Sequence, residues 1–316
     1  MRILVLGAGG TGGYFGGRLA QGGADVAFLV REGRAAQLAR DGLRLRSPLG
    51  DADLAVPFAT ASGLPELARA QPFDLVVLSC KAYDLESAMD AVSPAVEAGA
   101  AVLPILNGLR HYPVLDRRFG AADVIGGLCF ISATKGADGE VVHLGGPASI
   151  TFGERGGDGG SPRTRAFARS CARAGIDHVH SGDIAGEQWI KFAFLCTAAA
   201  ATCLMRAPIG RIVAAEGGEA FIRGAYDEAL QVAAAAGHAV PAPRRDEAIA
   251  FLTRPGSPMT ASMLRDLESG QPVEAEHIVG DMVHRAEAAG IDCPRLRVAW
   301  LHLQAYELGR RAPAPC

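Results

Sequence analysis

Hydrophobic positions along the chain fall into two regimes. Up to about residue 180, short apolar runs alternate with segments of helical spacing. The runs predict strands at Ile3–Leu6, Val26–Val30, Leu75–Ser79, Ala101–Leu106 and Val124–Ile131. Leu75–Ser79 is continuously apolar, the pattern of a strand buried on both faces. Helices are predicted at Thr11–Gln21 and Thr164–Ala174, with late strands around Gly145–Phe152 and at Ile176–His180. Alternation of this kind predicts right-handed βαβ units and a parallel sheet. The glycine-rich stretch Arg155–Gly160 reads as a solvated loop.

After Gly182 the pattern becomes helical. Spacing predicts helices over Asp183–Arg206, Gly218–Ala236, Asp246–Thr253, Gln271–Ala289 and Pro294–Arg310, with no strand run. The chain thus divides into a Rossmann-type α/β domain over 1–182 and an all-α domain over 183–316. The apolar stretch Phe192–Met205 is too short to span a bilayer and reads as a buried helix.

Composition narrows the classes. With 49% hydrophobic and 21% charged residues the chain is an ordinary globular protein. A net charge of −3 and only 6% aromatics speak against nucleic acid and anionic membranes as partners. Seven cysteines without a CxxC pair read as reduced thiols in a reducing compartment. The opening apolar run is cut by Gly7, Gly9 and Gly10, so it is no signal peptide, and a cytoplasmic location is expected. The eight histidines are dispersed, and His277 and His284 lack an HExxH context, so no metal is expected.

The first candidate chemistry is Gly7-Ala8-Gly9-Gly10-Thr11-Gly12, a GxGxxG loop between a strand run and a helix. Gly7 permits the tight turn, Gly9 a close approach of backbone to pyrophosphate, and Gly12 close packing of helix on strand. The helix N-terminus then offers N–H groups and partial positive charge to phosphates. A dinucleotide is implied. Arg31 ends the second strand, where NAD enzymes place an acidic residue about 20 residues on from the glycines. With Arg34 nearby, a guanidinium there suits a 2′-phosphate, which favours NADP(H). Glu32, one position later, leaves a ribose contact open.

Further stations complete a resemblance. GAGGTGGYFGGRLA, Arg31 in FLVREGR, Lys81 in LSCKAYD, Asn107 in ILNGL, Lys191 in EQWIKFAF, Ser262 in TASMLRDLESG and Glu274 in PVEAEHIVG occur in that order. Over nearly the whole chain the sequence resembles the ketopantoate reductase (2-dehydropantoate 2-reductase) family. The resemblance implies a C-terminal domain like the helical domain of 6-phosphogluconate dehydrogenase. It also implies NADPH-dependent reduction of a 2-keto acid, a step of pantothenate and coenzyme A biosynthesis. Lys191 would be the proton donor. Lys81 would act between cofactor and substrate, and Asn107 near the ribose and nicotinamide. Ala133 would meet the cofactor through its backbone, Glu274 through its carboxylate, and Ser262 would meet the substrate carboxylate. Read without the resemblance, Lys191 is better explained by a surface i,i+4 pair with Glu187.

The resemblance breaks beside Lys191. Family enzymes carry asparagines four and eight residues after the lysine, where this chain has Leu195 and Ala199. No Asn occurs anywhere after Asn107. A helix aligns positions i, i+4 and i+8, so the substrate face at Leu195 and Ala199 is apolar. Three readings follow: ketopantoate reduction, reduction of a less polar 2-keto or hydroxy acid by a related enzyme, or NADPH binding without catalysis. Lys81, Lys191, Ser262 and Glu274 argue against the last, since a sensor needs no proton donor. Apolar helices at Phe192–Met205 and Val298–Leu308 leave room for a homodimer interface.

Overall fold

The structure is a computed structural model that describes residues 1–157 and 160–311. Cys316, and Asp158 and Gly159 of the glycine-rich stretch, lie outside the described residues. Two compact units are present. One comprises Met1–Leu106 and His111–Ile184; the other comprises Asn107–Arg110 and the chain from Ala185 onward.

The first unit is built on a five-stranded, wholly parallel sheet. From one edge to the other it runs Phe58–Ala59, Asp25–Leu29, Arg2–Leu6, Leu75–Leu78, Ala101–Pro104. This third-second-first-fourth-fifth order is the doubly wound arrangement. Ile3, Leu4 and Val5 are fully buried between neighbours on both sides, and Val77 is 2% exposed, as continuous apolar runs require. Glycines bring the helix Gly10–Gln21 close to these strands. A Cβ on Gly16 would lie 2.7 Å from the ring of Phe28.

Val124 adds an isolated parallel bridge to Val102 at the sheet edge, but the strands after it form separate sheets. Gly126–Phe130 pairs antiparallel with Ser149–Gly153, which pairs parallel with Asp177–His180. Only Ser149–Gly153 of the late region is strand, because Gly145 and Gly146 turn the chain at φ 99° and 78°. A further sheet, unforeseen in sequence, joins Ala52–Leu54, Leu43–Arg46, Val141–His143 and Ala133–Lys135. These strands are three or four residues long, too short for periodicity to register.

The second unit is helical, with no strand among the described residues. Ile184–Met205 spans 22 residues, within one residue at each end of the predicted Asp183–Arg206. It is long enough to cross a bilayer, but 72% of its most apolar window is buried within the protein. Helices follow at Ile209–Ala214, Gly218–Ala235, Ala242–Leu252, Ser262–Glu268 and Pro294–Arg311. The predicted helix Gln271–Ala289 differs. It starts later, passes through a π-helical turn at Glu276–Gly280, and continues as α-helix over Asp281–Ala288. Pro272 disfavours helical backbone at Gln271, which delays the start.

Candidate active site

In the first unit the glycine loop closes the end of the Arg2–Leu6 strand. Gly7 has φ +89°, a conformation that glycine adopts freely. Its N–H donates to the Leu29 carbonyl at 2.9 Å. Ser79 Oγ donates to the Leu6 carbonyl at 2.7 Å, tying two strand ends together. A Cβ on Gly12 would lie 2.2 Å from Ser79 Oγ and 2.4 Å from the Gly7 carbonyl oxygen. Gly12 is therefore fixed by protein packing. Gly9 is different: a Cβ there meets no atom within 4 Å. Nothing in the protein demands glycine at that position, and the space beside it is open to a group approaching from outside.

Gly9 is also the N-cap of the helix Gly10–Gln21, makes no side-chain cap, and precedes a first turn without an acidic residue. The N–H groups of that turn and the dipole favour an anion. Beside it lies a groove of about 700 Å³, lined by Gly7, Ala8, Gly9, Arg31, Arg34 and Lys135 among others. The open Gly9 cradle, the uncapped helix and the cationic wall together fit a phosphate-bearing dinucleotide. Glu32, the sequence's candidate for a ribose contact, lines the same groove.

Arg31 is 82% exposed and pairs with Asp84 at 3.1 Å. Arg34 is occupied differently. Its Nε donates to the Ala8 carbonyl at 3.1 Å and its Nη1 to the Gly139 carbonyl at 2.7 Å. Burial lowers its pKa from the usual arginine value, and Nη2 is enclosed without a partner. Arg34 thus staples the glycine loop to the hairpin that carries Ala133–Lys135 and Val141–His143. Ala133 abuts the loop through its backbone: its carbonyl oxygen is 2.7 Å from where a Gly10 Cβ would stand. Lys81 is the N-cap of the one-turn helix Ala82–Asp84, three residues past the end of the Leu75–Leu78 strand. That is the carboxyl edge of the sheet, where ligands of doubly wound folds collect.

In the second unit Lys191 is 7% exposed. Its Nζ donates to Asn107 Oδ1 at 3.2 Å. Asn107 begins the short segment that groups with the helices rather than with the strand preceding it. Gly108 makes that turn with φ +77°, and a Cβ on it would stand 2.4 Å from the His277 carbonyl oxygen. Arg110 pairs with Glu276 at the start of the π-helical turn. Burial, aided by the nearby Arg110 charge, lowers the pKa of His277. Glu274 is 6% exposed, and its carbonyl accepts from the N–H groups of His277 and Ile278 as the helix begins. A π turn of this kind recurs at functional sites.

The start of the Lys191 helix is held firmly. Trp189, two residues earlier, stacks on His238 with centroids 5.9 Å apart and lies under the Arg285 guanidinium at 5.3 Å. The i,i+4 surface pair does not form, since Glu187 pairs with Arg244 at 3.3 Å. Along the same face Leu195 is half-buried, but Ala199 has no exposed surface. Ala199 therefore packs within the helical unit. Ser262 opens the helix Ser262–Glu268 and is half-buried. The N–H of Ala261 just before it donates to Thr202 Oγ1 at 3.4 Å, tying this end to the Lys191 helix.

The deeply buried cysteines Cys171 and Cys203 are not candidates. Burial pushes the thiols of Cys171 and Cys203 up to about 12. Buried thiols of this kind are inert. No group of three or more His, Cys, Asp or Glu able to hold a metal occurs among the described residues.

Two family models match the chain: Ketopantoate reductase PanE/ApbA over residues 3–157, and Ketopantoate reductase PanE/ApbA C terminal over residues 183–307. An uncharacterized oxidoreductase, YkpB of Bacillus subtilis (strain 168), is 34% identical over 307 residues, covering 97% of this chain and 99% of that one. A 2-dehydropantoate 2-reductase of Halobacterium salinarum is 30% identical over 298 residues, covering 94% of this chain and 96% of the relative. The crystal structure of 2-dehydropantoate 2-reductase from Geobacter metallireducens GS-15 superposes with a TM-score of 0.86 at 30% identity, covering 96% of this chain and 99% of that one. The chain belongs to the ketopantoate reductase family. It is an oxidoreductase of the class acting on CH–OH groups with a nicotinamide cofactor, NADP(H) in this family.

Proposed function

We propose that this protein reduces a 2-keto acid to the 2-hydroxy acid with NADPH, with 2-dehydropantoate as the substrate to test first. The observation that carries the reading is Lys191, buried in a largely apolar helix with its Nζ on Asn107 Oδ1. A lysine so enclosed costs desolvation and rotamer freedom, which a proton donor repays and a surface charge does not. NADPH, when bound, supplies the hydride.

The residues of this chain do the rest. Gly7, Ala8, Gly9, Gly10, Thr11 and Gly12 receive the pyrophosphate at the helix N-terminus, and Arg31 the 2′-phosphate. Lys81 and Ala133 belong to the cofactor side, and Glu274 carries the carboxylate on the helical side. Asn107 holds the Lys191 ammonium in one orientation, so that Nζ meets the ketone oxygen and gives it a proton as negative charge develops. Ser262 offers its hydroxyl to the substrate carboxylate. The nucleotide domain is assigned to 1–182 and the substrate and dimerisation domain to 183–316.

A second reading has its own observation. Leu195 is half-buried one turn beyond Lys191 and carries no hydrogen-bonding group. A site built for a substrate hydroxyl rejects analogues lacking it far better than an apolar site does. An apolar 2-keto acid with a branched or aromatic side chain is favoured on this ground. Steady-state kinetics with NADPH across a panel of 2-keto acids separates the two. The highest kcat/KM on ketopantoate supports the first reading, and the highest on an apolar acid the second. If the second holds, Leu195→Asn should shift the kcat/KM ratio toward ketopantoate by about tenfold, the worth of one polar contact of roughly 1.4 kcal/mol. Ala199→Asn is not the variant of choice, because the amide would be buried.

A further inference from the structure

We infer that Lys135 is a specificity-determining residue for the cofactor, taking the adenosine 2′-phosphate together with Arg31. The inference rests on the proposed use of NADP(H) and adds a residue that no motif marks. Three cationic side chains line the groove beside the glycine loop: Arg31, Arg34 and Lys135. They are not equivalent. Arg34 spends Nε and Nη1 on the Ala8 and Gly139 carbonyls, and its Nη2 is enclosed. Its nitrogens hold the wall together and are not presented to a ligand. Arg31 is exposed and already balanced by Asp84 at 3.1 Å, with Glu32 also on the groove. Two carboxylates thus face a groove expected to take a dianionic phosphate. One arginine, shared with Asp84, leaves that charge poorly compensated.

Lys135 supplies the missing charge. It is exposed on the groove and carries no ion pair among the described residues. Its position is fixed by the fold rather than by chance. The strand Ala133–Lys135 pairs with Val141–His143, Lys135 opposite Val141. Both ends of that hairpin are pinned to the nucleotide loop: Ala133 against Gly10, Val141 against Gly13, and Gly139 through Arg34. A lysine two residues beyond Ala133 is therefore carried to the groove whenever the loop is formed. Its three donors suit a phosphate as a point charge, complementing the planar fork of Arg31.

Calorimetric binding of 2′,5′-ADP and of 5′-AMP to the purified protein tests this without turnover. Lys135→Ala should weaken 2′,5′-ADP about tenfold, the scale of one exposed charge-assisted contact, and leave 5′-AMP unchanged. Lys135→Arg should restore most of the loss. Equal weakening of both ligands, or no change in either, overturns the assignment. If the wild-type protein binds 5′-AMP as tightly as 2′,5′-ADP, the NADP(H) reading fails, and the assignment to Lys135 falls with it.

Discussion

Replacing Lys191 with alanine should lower kcat by roughly 10²–10⁴-fold, the range spanned by loss of a positioned general acid. NADPH affinity, read by fluorescence titration, should stay within about twofold of wild type, since the phosphate cradle proposed above is the glycine loop of the first unit. The split follows from where the charge acts. An ammonium at the ketone oxygen matters most when that oxygen becomes negative, so its loss falls on the transition state and not on ground-state binding. Removing a lysine that is 7% exposed also removes the donor to Asn107. A thermal melt accompanies the kinetics, and Lys191→Met, of similar length and apolar, serves as the second variant. If either folded variant turns over at near wild-type rate, Lys191 is not the proton donor.

The second large effect separates two glycines in one loop. Gly12→Ala places a Cβ 2.2 Å from Ser79 Oγ and 2.4 Å from the Gly7 carbonyl oxygen. The serine could rotate, but the carbonyl belongs to the backbone that shapes the loop. Overpacking of this kind costs about 1–3 kcal/mol. For a protein of this size that is a fall in melting temperature of roughly 2–12 °C, with cofactor binding lost as the loop is displaced. Gly9→Ala should behave otherwise. Its Cβ meets nothing within 4 Å, and φ −89° suits alanine, so the melting temperature should move by no more than about 1 °C. Yet NADPH should bind about 10–100-fold more weakly, because the same clash now occurs with the cofactor. A Gly9→Ala protein that keeps full NADPH affinity would mean the cradle is not where the pyrophosphate rests.

The cofactor half of the molecule was far more legible in sequence than the rest. Gly7 to Gly12 and Arg31 lie within one βαβ unit, so local spacing carries their meaning. Lys81 and Asn107 each follow a strand run and could be placed at its end. What sequence could not show was where non-local pairing would bring short segments. Arg34 looks like a second phosphate ligand beside Arg31, but it bonds to a carbonyl 105 residues away. Lys135 sits on a three-residue strand with no periodicity of its own. Asn107 looks like part of the nucleotide domain, yet its carboxamide meets Lys191 84 positions later. The same limit applies to Ala199. Spacing puts it on the face of Lys191, but only packing reveals that it is wholly buried. The π turn at Glu276–Gly280 has no sequence signature, and the predicted continuous helix misses it.

The proposed activity is hydride reduction of a 2-keto acid and not merely binding of the cofactor. Its most direct test is to mix the purified protein with NADPH and a panel of 2-keto acids, including ketopantoate. NADPH loss is followed by absorbance, and the 2-hydroxy acid formed is identified by mass spectrometry. One mole of hydroxy acid should form per mole of NADPH oxidised for at least one member of the panel, and Lys191→Ala should abolish it. NADPH that binds but is oxidised by no member of the panel would contradict it.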